Sequence, residues 1–182
     1  MLLAVAQAAL AAVSADRLTA RALRHARGGV DVLAVGKAAP AMTRAALAAP
    51  GLSVRHALVV TKHGLRDAVL DADARVRQLT AGHPAPDGAS FAAGRAALRF
   101  VASGGADAPL LVLLSGGASA LMEWPAPGLT RAGLVRAHRA LLGSGLPIAP
   151  VNRVRAALSA VKGGALAVAL GARPARVLLV SD

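Results

Sequence analysis

A chain of 182 residues, 55% hydrophobic but only 2% aromatic, is long enough for one domain whose core is filled by Ala, Val and Leu. The absence of Cys excludes a disulfide framework, a thiol nucleophile and a thiolate metal site, and it fits a reducing compartment. The formal charge of +12 comes from 18 Arg and 3 Lys dispersed without a basic arm, and Phe91, Phe100 and Trp124 are too scattered to stack on bases, so nucleic acid is not the expected partner.

The apolar stretch from Met1 to Val13 lacks a basic leader and carries Gln7, so it reads as an amphipathic helix over 2–13 and not as a signal peptide. No stretch reaches the roughly 18 apolar residues that a membrane helix needs. A cytoplasmic protein without a membrane partner is expected. A second helix is expected over 17–27, capped by Ser14 or Asp16 and ended by Gly28-Gly29. Val30 to Val35 reads as a short strand interrupted by Asp31, then Gly36-Lys37 as a turn and Ala38 to Ala48 as a helix.

Ala57 to Thr61 is a strand ending in Lys62-His63-Gly64, and Val76 to Thr80 a weaker one leading into Gly82-His83-Pro84. Asp87 is placed to cap a helix from Gly88 to about Ala102. Leu110 to Leu114 carries no charge and is closed by Ser115-Gly116-Gly117, the pattern of a fully buried parallel strand followed by a turn into a helix at Ala118. Such a turn points backbone N–H groups into one concavity and favours an anion there, although a plain turn that needs small residues would read the same. A helix from Thr130 to Leu142 follows, then one capped by Asn152 and running to about Leu170 with an interruption at Gly163-Gly164. Val177 to Val180 is the last strand, ending in Ser181-Asp182.

Strands alternating with helices specify an α/β fold with a mainly parallel, Rossmann-like sheet flanked by helices. In such sheets ligands gather at the carboxyl ends of the strands. Those ends carry Gly36-Lys37, Lys62-His63-Gly64, Gly82-His83, Ser115-Gly116-Gly117 and Ser181-Asp182. Every polar cluster of note falls on one edge of the expected sheet. The three lysines, Lys37, Lys62 and Lys162, are informative because this chain otherwise uses Arg; a lysine kept at a turn suggests that a compact ammonium is needed.

Two ammoniums, a nest of backbone donors, hydroxyls and one carboxylate suit phosphoryl transfer. The chain lacks Gly-x-Ser-x-Gly, which argues against a serine hydrolase, and its five His show no zinc-ligand spacing. Gly-x-Gly-x-x-Gly is missing after the first strand, which weakens dinucleotide binding. Bland readings stand beside these: Lys62 and His63 as a solvated strand end, His83 as a loop hydrogen-bonder, Asp87 as a cap.

The segments VGKAAPAM (35–42), VTKHG (60–64), GHPAPD (82–87), LLSGGASAL (113–121), NRVRAALSAVKGGALA (152–167) and LLVSD (178–182) occur in the order of the glycerate 2-kinases of the MOFRL class, and the chain resembles that family along essentially its whole length. The resemblance implies ATP- and Mg²⁺-dependent phosphorylation of D-glycerate to 2-phosphoglycerate, in a cleft between two α/β domains; some relatives carry the label hydroxypyruvate reductase. Residues 1–182 would then be the N-terminal domain, with the second domain absent from these residues.

By the same resemblance Lys37 and Arg155 are the candidate catalytic residues. Ser115, Gly116, Gly117 and Ser119 match the anion loop, and Asn152, Ser159 and Lys162 the segment that follows. Lys62 and His83 join them as substrate- or phosphate-binding candidates, and Asp182 as the metal ligand. The small-molecule substrates would be D-glycerate and ATP, and a homo-oligomer is compatible with the reading. The sequence departs from the family's usual pattern at Ala118, Pro150, Ala156-Ala157 and Ala165, and three of these alanines stand where the family has cations. A non-catalytic anion-binding module of the same descent is therefore the alternative.

Overall fold

A computed structural model describes Val5, residues 12–105 and residues 107–181. Most of the helix expected over 2–13, and Asp182, lie outside the described residues. Five strands form one sheet: β1 (Gly28–Val35), β2 (Leu52–Lys62), β3 (Val76–Ala81), β4 (Leu110–Leu114) and β5 (Ala175–Leu179). Their order is β3-β2-β1-β4-β5 and every neighbouring pair is parallel. The helices are α1 (Ala15–Leu23), α2 (Ala39–Leu47), α3 (Ala68–Asp71), α4 (Gly88–Ala102), α5 (Ala118–Leu121), α6 (Arg131–Leu142), α7 (Ile148–Ala157) and α8 (Ala165–Leu170).

The two faces of the sheet follow from the period-2 alternation of its apolar residues. Val32 and Ala34 of β1, Ala57 and Val59 of β2, and Leu111 and Leu113 of β4 pack with Met42 and Ala46 of α2. Their neighbours Leu33, Val35, Leu58, Val60, Leu110 and Val112 pack on the other side with Ala93, Ala97 and Val101 of α4. Burial on both faces explains why these strands are uninterrupted apolar runs.

Several expectations are corrected. Asp31 does not interrupt the first strand, which begins at Gly28; a register shift between Val30 and Val32 absorbs the irregularity, and the Asp31 carboxylate accepts from Arg173. Arg173 is 5% exposed and also donates to Ala108 O at 2.5 Å, Phe100 O at 3.2 Å and Val101 O at 3.3 Å, tying α4 to the start of β4. β2 begins five residues before the expected Ala57, because Leu52 to Val54 pair with Gly28 to Val30. The second of the two expected helices is α1, which runs over 15–23 and not 17–27. A one-turn helix at Ala68–Asp71 was not expected; the Asp67 side chain caps it.

Asn152 is not a helix cap. α7 starts at Ile148 after Pro147, with Pro150 tolerated in its first turn, so Asn152 sits inside the helix. The interruption expected at Gly163-Gly164 is wider than those two residues: α7 ends at Ala157, and α8 begins at Ala165 after both glycines take left-handed angles. Asp87 does cap α4, in a reciprocal box with Ser90.

Candidate functional site at the β1–β4 crossing

The chain builds outward from β1 to β3, then crosses back to place β4 on the other side of β1. In parallel sheets such a reversal of strand order is where ligands gather, at the carboxyl ends of the two strands. Gly36-Lys37 leaves one strand there and Ser115-Gly116-Gly117 the other.

Backbone bonds knit the two exits together. Ser115 N–H donates to Val35 O at 3.0 Å and Lys37 N–H to Gly116 O at 2.9 Å. The buried Ser115 hydroxyl accepts from Ala38 N–H at 3.1 Å. Ser115 thus holds the crossing together; its hydroxyl is engaged with backbone. Gly117, with φ +89°, takes the left-handed turn into α5; Gly116 does not. A Cβ on Gly117 would stand 3.0 Å from His83 Cδ2 and 3.4 Å from Lys37 Cγ, so both side chains lie against this glycine.

His83 is half-buried, and its imidazole is held below the usual 6.5, first by burial and then by the Lys37 and Lys62 charges. The structure therefore gathers Lys37, Lys62, His83 and Gly117 from the ends of β1, β2, β3 and β4. Two ammoniums near enough to push an imidazole toward its neutral form mark an environment short of negative charge. Beside it, His63 bonds Asp87 at 2.8 Å and Thr80 at 3.1 Å, tying the β2 and β3 exits to the cap of α4. Burial tends to raise the Asp87 pKa, but His63, Ser90 and the Ser90 and Gly82 backbone outweigh it and hold the carboxyl at about 2.

The glycine turn gains little from a helix dipole. α5 is a single turn, and a macrodipole needs length. The two lysines carry the positive charge here. On the far side of α5, Arg155 of α7 donates to Ser119 O at 3.4 Å and to Asn152 Oδ1 at 3.5 Å. Ser119 and Asn152 are both exposed.

Ser159 and Lys162 face a different group. Both bond the Glu123 carboxylate, one by its hydroxyl and one by its ammonium. Glu123 is 0% exposed and also accepts from Trp124 N–H at 3.0 Å. Buried His138 of α6 stands 3.5 Å from Glu123 Oε2, with burial holding its pKa below the usual value more strongly than Glu123 raises it. Burial likewise lowers the Lys162 ammonium, against the opposing pull of Glu123. The only sequence signal for Glu123 is a lone carboxylate between Leu121-Met122 and Trp124. Among the described residues no group of three His, Asp or Glu is placed to hold a metal.

The family model described as a domain of unknown function, DUF4147, matches residues 1–182, the whole chain. The chain belongs to this family. A D-glycerate 2-kinase of Thermotoga maritima is 38% identical over 153 residues, which are 84% of this chain and 36% of that protein. A glycerate 2-kinase of Pyrococcus horikoshii is 36% identical over 156 residues, 86% of this chain and 34% of the relative. A protein of Agrobacterium vitis named for hydroxypyruvate reductase is 39% identical over 157 residues, 85% of this chain and 39% of its own. The crystal structure of a Thermotoga maritima glycerate kinase superposes with TM-score 0.81 at 34% identity, covering 96% of this chain and 41% of that one. The DUF4147 chain described here thus spans less than half the length of the glycerate kinases it matches, and it shares their fold over nearly all of its own length.

Proposed function

We propose that this DUF4147 domain forms the phosphate-binding side of a glycerate kinase, an enzyme that phosphorylates D-glycerate to 2-phosphoglycerate with ATP and Mg²⁺. One observation carries the reading: Lys37 and His83 converge on Gly117 at the sheet's reversal, with Lys62 close enough to act on the same imidazole. Lys37 and His83 against a glycine turn, with the Lys62 charge acting on the same imidazole, suit a phosphate chain.

ATP supplies the transferable phosphoryl group, and this chain's residues hold it. Lys37 neutralises charge on the transferring group, and Gly117 lets backbone approach it. Lys62 adds a second positive charge, and neutral His83 donates or accepts a hydrogen bond without adding to the local charge. Arg155, through Ser119 O, braces α5 against the group in the crevice. Ser159 and Lys162 act through Glu123, which anchors the segment after α5. Mg²⁺ commonly takes one or two carboxylates plus phosphate oxygens, and Asp182 is the proposed carboxylate.

A non-catalytic anion-binding role is the second reading, and alanines 156, 157 and 165 favour it. Ala156 Cβ stands 3.2 Å from where a Gly163 Cβ would be, so this part of α7 packs on the Gly163-Gly164 turn. The test is titration calorimetry of ATP into the chain and its Gly117→Val variant, followed by ATP consumption with D-glycerate and Mg²⁺. The proposal expects the glycine variant to lose ATP affinity. Equal affinity would return the turn to a purely structural role, and binding without turnover in every form of the protein would favour the second reading.

A further inference from the structure

A second concentration of positive charge lies away from the crevice. A groove of about 1030 Å³ runs between α4 and the β2–β3 flank of the sheet. Arg55, Arg75, Arg77, Arg95, Arg99 and Arg131 line it, against the single carboxylate of Asp31. These are 6 of the chain's 18 arginines. The helix side of the groove follows from spacing: residues 88, 92, 95, 96, 99 and 103 recur at three- and four-residue steps and form one stripe along α4. The sheet side follows from register. Arg77 pairs with Leu58 and shares a face of the edge strand with Leu79 and Ala81, and Arg75 stands just before that strand. The α4-facing side of β3 is thus apolar near the crevice and cationic toward the opposite edge.

Much of this positive charge is not neutralised within the chain. Arg75 is paired with Asp73, and Arg55 reaches Asp31 only at 3.6 Å. Among the described residues Arg77, Arg95 and Arg99 form no ion pair and no hydrogen bond through their guanidiniums. Arg131 lies over the rings of Trp124 at 4.9 Å and Phe91 at 5.9 Å.

We propose that this groove is a second anion site, whose ligand is a linear polyphosphate anion. Several guanidiniums along one groove favour an extended polyanion over a single ion; the 15 residues of α4 span about 22 Å. Arg131 lies over the Trp124 and Phe91 rings, against which a base would otherwise stack. Phosphoryl oxygens match the planar arginine forks, which bind them in pairs.

The inference is independent of the crevice, and the test separates the two. Inorganic tripolyphosphate is titrated into the 182-residue chain by calorimetry and by the fluorescence of Trp124, the chain's one tryptophan, which lines the groove. Arg95→Glu/Arg99→Glu and the milder Arg95→Gln/Arg99→Gln are compared with Lys37→Ala. Positions 95 and 99 are on an accessible helix face, and circular dichroism checks that the fold persists. Lys37→Ala removes only the crevice's share of the binding and leaves the Trp124 response in place, whereas the groove variants should abolish that response and weaken the tripolyphosphate binding that Lys37→Ala retains roughly a hundredfold. Affinity should fall steeply with added salt. Unchanged binding in both groove variants, loss of all binding in Lys37→Ala, or a preference for single-stranded oligonucleotide over tripolyphosphate would each overturn the proposal.

Discussion

A Cβ placed on Gly36 would fall 2.1 Å from Ser115 Oγ and 2.6 Å from Ser115 O, so the exits of β1 and β4 touch at a point where only glycine fits. Gly36 also has φ +135°, and its own N–H donates to Val60 O at 3.0 Å. Close approach, backbone angle and hydrogen bond all fix this residue. Gly36→Ala should therefore destabilise the domain by about 2–5 kcal/mol, combining overpacking with a disfavoured angle. Chemical denaturation measures it, and a midpoint within error of the native chain would show that the crossing is looser than described.

Glu123 and Lys162 predict a different pattern. Removing one partner of a buried pair leaves an uncompensated charge, which costs roughly 3–5 kcal/mol. Glu123→Gln should approach that cost, because Lys162 would keep its ammonium in a site where burial already disfavours it. Lys162→Met combined with Glu123→Gln should recover a large part of the loss, since neither side then carries a charge. Simple additivity in the double-mutant cycle would mean that the pair is not coupled.

Asp87 gives a pH dependence with a definite sign. Its carboxyl is near 2 in the folded chain against an ordinary 3.8, so the folded state favours the charged form. That contribution is complete above about pH 4 and is lost as pH falls toward 2. Asp87→Asn keeps a competent helix cap but removes the titration, so its stability should fall less between pH 4 and 2 than the native chain's. Parallel acid-unfolding curves for the two proteins would assign the acid sensitivity to other carboxylates.

The strands of the interior were legible because burial on both faces makes them apolar runs, as in Leu110 to Leu114, and the Asp87 cap because its chemistry is local. The β2 start was not, since Leu52 to Val54 join the sheet only by pairing with Gly28 to Val30, a contact no local pattern announces. Asn152 misled for the opposite reason: a good capping residue lies inside a helix whose start Pro147 and Pro150 determine. The meeting of Lys37 with the glycine turn follows from strand order and could be expected from it. The attachment of Lys162 and Ser159 to Glu123 depends on how α6, α7 and α8 fold over α5, which the spacing of those residues does not encode.

The imidazole of His83 offers the most direct reading of the crevice. Burial comes first in holding its pKa below 6.5, and the Lys37 and Lys62 charges add to it. Because the folded chain favours the neutral form, this group works against stability as pH falls below its unfolded value near 6.5. An anion seated between the two lysines would offset their charge and raise the imidazole pKa. The His83 ring resonances should therefore titrate below 6.5 in the free chain and move upward when ATP is added. Lys37→Ala should raise the free value and reduce the ATP-induced rise, since one of the two charges is gone. Measured by NMR across pH 5–8, a His83 midpoint that ATP leaves in place would mean that the phosphates bind elsewhere, and that Lys37, Lys62 and Gly117 share a corner of the fold without sharing a ligand.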